Sequence, residues 1–243
     1  MSMAEFHTMQ HPFGWKAEYW GGKAVFTPRE QHVETKLNLT QRRSIDPDNH
    51  PNHNLRAADP TFKPQMIAAF YDAFQDSVEF CNWPEEEIKK YAAKNIHNYF
   101  DGVRGEPLPV SVMALESDRD RIAGLALFTN QAGKTKLDLL FVIPAYQRKR
   151  IATQMVDWAV NQLYQDNIEQ VYSAYHICNE NSRQWHHSFG FQDIYDQFYI
   201  RRKYAWYCHE IWRHEKLGLT AGVEQLIAAR DSWYSQLEDE WKY

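Results

Sequence analysis

Three consecutive cations, Arg148, Lys149 and Arg150, stand where an apolar run ends and a helical pattern begins. The run Leu137 to Ile143 stops at Pro144, and the stretch FVIPAYQRKRIATQMV carries the change from strand to helix. Cations at a helix start face the positive end of its dipole, which costs roughly 0.3–1 kcal/mol each when exposed. An anion held there removes the conflict, because the free N–H groups of the first turn and the dipole both favour it. Strand, short turn and cation-rich helix start together make a phosphate cradle. No GxxxxGK followed by Ser or Thr is present, and no GxGxxG follows a strand, so the cradle is not a mononucleotide loop. His32, His50 and His53 sit in or beside a polar loop without metal-ligand spacing, and Cys81, Cys178 and Cys208 form no short-spaced pair. No metal site and no disulfide framework are expected from them.

The elements that must position this turn follow from periodicity. Strands are expected at 110–116, 121–129 and 134–143, and a helix at 149–165 with Ala152, Val156, Ala159 and Leu163 on one face. A strand at 169–176 and a helix at 179–189 come next, the helix ended by Gly190 with Phe191 packing back on Trp185. Two aromatic strands, 191–200 and 204–213, then complete the sheet, and a helix at 222–241 ends the chain. Upstream, GWKAEYW and KAVFT flank Gly21-Gly22 as a hairpin, and VETKLNLTQ alternates as a half-buried strand. Residues 44–60 read as a loop. A helix over 61–76 precedes a second that opens at Asn82-Trp83-Pro84-Glu85, with Asn82 and Glu85 spaced as a capping box. The composition, 44% hydrophobic and 24% charged, suits a globular core. A net charge of −5 argues against wholesale nucleic-acid binding. With no signal-like N-terminus and no stretch near 18 apolar residues, a cytoplasmic setting without membrane insertion is expected.

At this turn the chain resembles the GNAT superfamily of acyl-CoA-dependent N-acyltransferases. The family's Gln/Arg-x-x-Gly-x-Gly/Ala motif reads here Gln147-Arg148-Lys149-Arg150-Ile151-Ala152. Its second motif is matched by Asn179, Ser182, Trp185, His186 and Gly190-Phe191. The resemblance covers about residues 55–213 and implies a GNAT-like α/β (α+β) fold. That fold is a mixed, mostly antiparallel twisted sheet flanked by helices, here with an N-terminal β-hairpin extension and a C-terminal helix. It divides the chain into a β-rich extension and loop (1–54), an acyltransferase domain (55–213) and a helical extension (214–243). Two positions depart from the pattern: Arg150 replaces a glycine and so requires ordinary helical dihedrals, and His186 stands where the family has tyrosine.

What the resemblance implies is acetyl-CoA held between the strand ending at Val142 and the strand 169–176. Backbone N–H groups of Arg148, Lys149, Arg150, Ile151, Ala152 and Thr153 would cradle the pyrophosphate after Gln147, with Arg148 and Arg150 near the phosphates. Phe141 and Val142 would offer backbone groups to the pantetheine arm and the thioester carbonyl; Asn179 and Ser182 are further cofactor-binding candidates. The reaction is direct acetyl transfer to a primary amine, without a metal. The amine must lose a proton, its free pKa being about 10.4. Asp138 is the base candidate, sharing by alternation a face with Leu140 and Val142, and Glu116 is the fallback. His186 is the acid candidate for the leaving thiolate. The alternative is a non-catalytic acyl-CoA-binding regulator of the same fold. A nucleic-acid module using Arg148–Arg150 and Arg201–Lys203 is disfavoured by net acidity. A homodimer is a further reading for the extensions.

Overall fold

The structure is a computed structural model that describes residues 1–40, 54–116 and 121–242. The N-terminal segment carries helix α1 (Met3–Thr8) and strands β1 (Trp15–Trp20), β2 (Lys23–Pro28) and β3 (His32–Asn38). Strand β4 (Asn54–Ala57), helices α2 (Lys63–Phe74) and α3 (Glu85–Phe100), and strands β5 (Glu106–Pro107), β6 (Val112–Leu115), β7 (Ile122–Gln131) and β8 (Lys134–Val142) follow. Then come α4 (Ile151–Gln165), β9 (Gln170–His176), α5 (Glu180–Phe189), β10 (Gln192–Ile194), α6 (Gln197–Leu217) and α7 (Val223–Ser235). Two compact units result: Glu34–Tyr175 with Asn181–Gln192, and Met1–Val33 with His176–Glu180 and Asp193–Tyr243.

In the first unit the strands run β3-β9-β8-β7-β6-β4, with β5 on β7. The pairs β4–β6, β5–β7, β6–β7 and β7–β8 are antiparallel, whereas β8–β9 is parallel. Period-two side chains divide β6 between two cores: Val112 and Ala114 face α4, Met113 and Leu115 face α2 and α3. Helix α4 meets the first core with Ile151, Met155, Val156, Ala159 and Leu163; of the expected face Val156, Ala159 and Leu163 are buried there, while Ala152 is half-buried. Met66 and Phe70 of α2 with Ile88, Ala92 and Ile96 of α3 fill the second. The sheet is thus mixed, mostly antiparallel and covered by helices on both faces, as expected.

Other expectations need correcting. Residues 54–57, read as loop, form β4; the rest of that loop reading, with His50 and His53, lies outside the described residues. Helix α3 has Pro84 at its N-cap without a side-chain cap, so Asn82 and Glu85 form no capping box. Pro84 itself supplies the extended entry (φ −62°, ψ 145°), and Glu85, Glu86 and Glu87 meet the dipole. The expected end of α5 does form: Gly190 has a positive φ of 111°, and its N–H donates to the His187 carbonyl at 3.1 Å. The Phe191 N–H donates to the His186 carbonyl at 2.9 Å, and Phe191 packs on Trp185, centroids 6.1 Å apart.

In the second unit β1 and β2 form the expected hairpin, turning at Gly21 and Gly22 with φ of 53° and 80°. The stretch read as two aromatic strands is instead the three-residue β10 followed by the long helix α6. Asp196 starts that helix, its Oδ1 accepting the Tyr199 N–H at 2.7 Å. Tyr199, Lys203, Trp206, Glu210 and Arg213 fall at helical spacing. Phe13 packs on Tyr199 and Trp206, and the buried Glu210 accepts from Arg213 at 2.9 Å. Aromatic content favoured strands; this period-3.6 face, given a partner in Phe13, decides for helix. Helix α7 ends at Ser235, six residues before the expected boundary at 241, and a 3-10 turn Asp239–Trp241 follows. Among the described residues no helix is long and apolar enough to cross a membrane.

Candidate active site

Strands β8 and β9 are joined by a single bridged pair, Lys136 with Tyr172. Beyond it the two parallel strands part, leaving a fork whose β8 arm leads to the cation-rich turn. The β8 arm also carries a bulge. Leu127 pairs with Leu139 and Phe128 with Leu137, so Asp138 is the extra residue. Leu137, Leu140 and Val142 therefore face the α4 core, while Leu139 and Phe141 face α2 and α3. Uninterrupted alternation would place Asp138 with Leu140 and Val142; the bulge turns it the other way. Its carboxylate accepts from Arg104, whose other amino group donates to Asn95 of α3. Only 10% of the Asp138 side chain is exposed. Nearby, Tyr99 donates to Ser111 at 2.6 Å; burial, then the Asp138 charge, push its hydroxyl up to about 12 against that bond, so it stays protonated.

After β8 the chain passes through a 3-10 turn, Pro144–Tyr146, and reaches α4. Gln147 folds back, its Nε2 donating to the Val142 carbonyl at 3.1 Å. Arg148 and Arg150 both have φ of 61°, and Arg150, with ψ 15°, is the N-cap of α4 in the left-handed region. The expectation that an arginine here needs ordinary helical dihedrals is thus overturned: the residue adopts the conformation glycine would offer, side chain outward in solvent. No side chain caps the helix, and its first internal bond is Gln154 N–H to Arg150 O at 3.0 Å. The N–H groups of Ile151, Ala152 and Thr153 are accordingly the uncapped donors of the first turn. Ile151 is buried in the core, while Ala152 and Thr153 are half-buried.

The left-handed Arg150 has a consequence for stability. Such a conformation costs an L-residue roughly 1–2 kcal/mol, and glycine loses about 0.5–1 kcal/mol of that gain through a freer unfolded chain. Arg150→Gly is therefore expected to raise Tm by about 1–3 °C in a calorimetric scan. An unchanged or lower Tm would mean that the guanidinium makes a compensating contact.

The other candidate groups lie after β6, in the turn before α4, and on and beside α5. Glu116, following β6, accepts from the Tyr146 hydroxyl through Oε1, and its Oε2 is buried without a partner among the described residues. Lys149 Nζ lies 4.8 Å from the centroid of the Tyr146 ring. His186 is only 3% exposed, its Nδ1 2.8 Å from the Ser182 carbonyl and its Nε2 3.0 Å from Ser173 Oγ. Trp185 Nε1 donates to Thr153 Oγ1 at 3.4 Å, tying α5 to α4. Asn179 directly precedes α5, its N–H donating to the His176 carbonyl at 2.8 Å. Phe141 packs its ring on Phe70 and Phe74 at 5.9 and 5.8 Å. Sequence reasoning missed Tyr146, Arg104 and Ser173. Tyr146 lay inside the motif stretch, and a tyrosine between a proline and the cation run was the available signal. Nothing local marked the other two.

The model of the acetyltransferase (GNAT) family matches residues 67–191. No curated protein matches the chain in sequence. Among solved structures, a GCN5-related N-acetyltransferase from Sphaerobacter thermophilus is similar at 14% identity with a TM-score of 0.51. The match takes in 67% of this chain and 48% of that one, so this chain spans about half the length of that protein. A PaiA N-acetyltransferase from Thermoplasma acidophilum, in complex with coenzyme A, is 15% identical with a TM-score of 0.48, over 58% of this chain and 90% of that one. The ribosomal-protein-S18-alanine N-acetyltransferase of Escherichia coli is 17% identical with a TM-score of 0.45, over 59% and 80%. The family match extends over more than half of the 243 residues, and the chain belongs to the GNAT acetyltransferase family.

Proposed function

We propose that the protein transfers an acetyl group from acetyl-CoA to a primary amine by direct attack. The observation that carries this reading is the fork between β8 and β9 leading to an uncapped helix start with three adjacent cations. Pyrophosphate would accept from the N–H groups of Ile151, Ala152 and Thr153, with Arg148 and Arg150 supplying charge. The left-handed Arg150 supports this fit, because its backbone takes a conformation that glycine adopts without strain. The bulge at Asp138 interrupts the β8 ladder, and a backbone N–H released there would stabilise the oxyanion.

Glu116 takes the role of base in this reading. The amine nitrogen bonds to the thioester carbon as its proton passes to the Glu116 carboxylate; the C–S bond then breaks and the CoA thiolate takes up a proton. One Glu116 oxygen is buried without a partner among the described residues, the other is held by Tyr146, and no cation pairs with it there. Asp138, by contrast, is neutralised by Arg104 and is assigned the structural role of fixing the bulge. His186 has both ring nitrogens on protein groups, and we assign it positioning and not acid catalysis. Following CoA thiol release with a panel of primary amines tests the reading. Amine-dependent release supports it; acetyl-CoA binding without release on any amine selects the regulator of the same fold.

A further inference from the structure

At the apex of the fork the backbone pairing between β8 and β9 is the bridge of Lys136 with Tyr172. Ser173 and Leu137 lie one residue beyond the single bridged pair on their respective strands. Ser173 is 4% exposed, and its Oγ stands 3.3 Å from the Leu137 carbonyl and 3.0 Å from His186 Nε2. On the far side of the imidazole, Nδ1 faces the Ser182 carbonyl at 2.8 Å, with Ser182 Oγ at 3.4 Å. A carbonyl only accepts, so Nδ1 carries a proton, and in the Nδ1–H neutral tautomer Nε2 accepts from Ser173. The single hydroxyl proton thus lies between an acceptor on α5 and one on β8. The ring cannot easily turn away, being packed against Tyr175, Trp185 and Phe191 at centroid distances of 5.4, 5.0 and 5.2 Å.

We propose that Ser173 and His186 are positioning residues that set the opening of the β8/β9 fork, joining β8, β9 and α5 by side chains where the ladder ends. This rests on the acyl-CoA reading, since the fork is where that ligand would lie. It gives the second family motif a task in this chain that differs from proton donation: the imidazole holds a strand in place. Buried hydroxyl–imidazole bonds also explain why a polar ring sits in an aromatic pocket that phenylalanine would fill at no desolvation cost.

The test uses the full chain with Ser173→Ala, Ser173→Thr and His186→Gln. In ligand-free protein, Ser173→Ala is expected to speed amide hydrogen exchange at residues 137–142 and 173–175 by about fivefold to tenfold, the size of one lost hydrogen bond. Ser173→Thr, which keeps the hydroxyl, restores slow exchange, and His186→Gln falls between. In wild-type protein the nitrogen-15 shifts of His186 report the Nδ1–H tautomer. Acetyl-CoA affinity falls by a similar factor in Ser173→Ala, with KM rising and kcat little changed. Unchanged exchange in Ser173→Ala, or an Nε2–H tautomer in the wild type, overturns the proposal. Failure of wild-type protein to bind acetyl-CoA would instead remove the acyl-CoA reading, and the exchange result is read independently of it.

Discussion

Glu116→Gln is expected to lower kcat at neutral pH by about 10²–10⁴-fold, the usual worth of a positioned general base. Glutamine keeps the size of the side chain and can still accept from the Tyr146 hydroxyl, so the turn before α4 should stand unchanged. What it loses is the capacity to take a proton from the attacking amine. Acetyl-CoA affinity should therefore survive while turnover collapses, and the acid limb that a carboxylate base gives to kcat/KM should disappear. Asp138→Asn gives the contrast. It leaves Arg104 facing an amide in place of its carboxylate and should act mainly on stability, through the bulge. Full turnover in Glu116→Gln with a collapse in Asp138→Asn would reverse the two assignments.

Ala152→Asp should weaken acetyl-CoA binding by at least about 100-fold. A carboxylate placed about 4 Å from a phosphate charge opposes it by about 4 kcal/mol at an effective dielectric of 20. The same substitution puts an acid in the first turn of α4, worth about 0.3–1 kcal/mol in favour of the helix. Binding and stability thus move in opposite directions, which a merely damaged protein would not do. Calorimetric titration beside a thermal scan reads both. Retained affinity would mean that the uncapped N–H groups of α4 do not meet the pyrophosphate.

Much of the frame was legible in the sequence. The period-two strand Val33, Thr35, Leu37 and the helical stripe Val156, Ala159, Leu163 of α4 have the burial their spacing predicts. The turn itself was legible as an anion site from three cations and a helix start. What escaped was non-local or conformational. A bulge cannot be read from β8 alone, because it depends on how β7 pairs with it, and it reverses the direction of Asp138. Arg104 finds Asp138 across 34 residues, beyond any local pattern. Arg150 in the left-handed region contradicts the intrinsic preference of arginine, and only the demands of the turn impose it. The strand reading of α6 followed its seven tyrosine, tryptophan and isoleucine residues among 21, although Asp196 stood ready as a cap. Likewise α1 begins with a capping box of Ser2 and Glu5 that was readable in MSMAE.

Titration of the 243-residue chain with acetyl-CoA, followed by calorimetry, with free CoA and adenosine 3′,5′-bisphosphate alongside, tests the central claim most directly. Saturable acetyl-CoA binding, shared by CoA and lost in Ala152→Asp, is expected if the α4 start holds pyrophosphate despite Arg150. Absence of binding at millimolar ligand would contradict it and mean that the arginine closes the cradle that glycine leaves open.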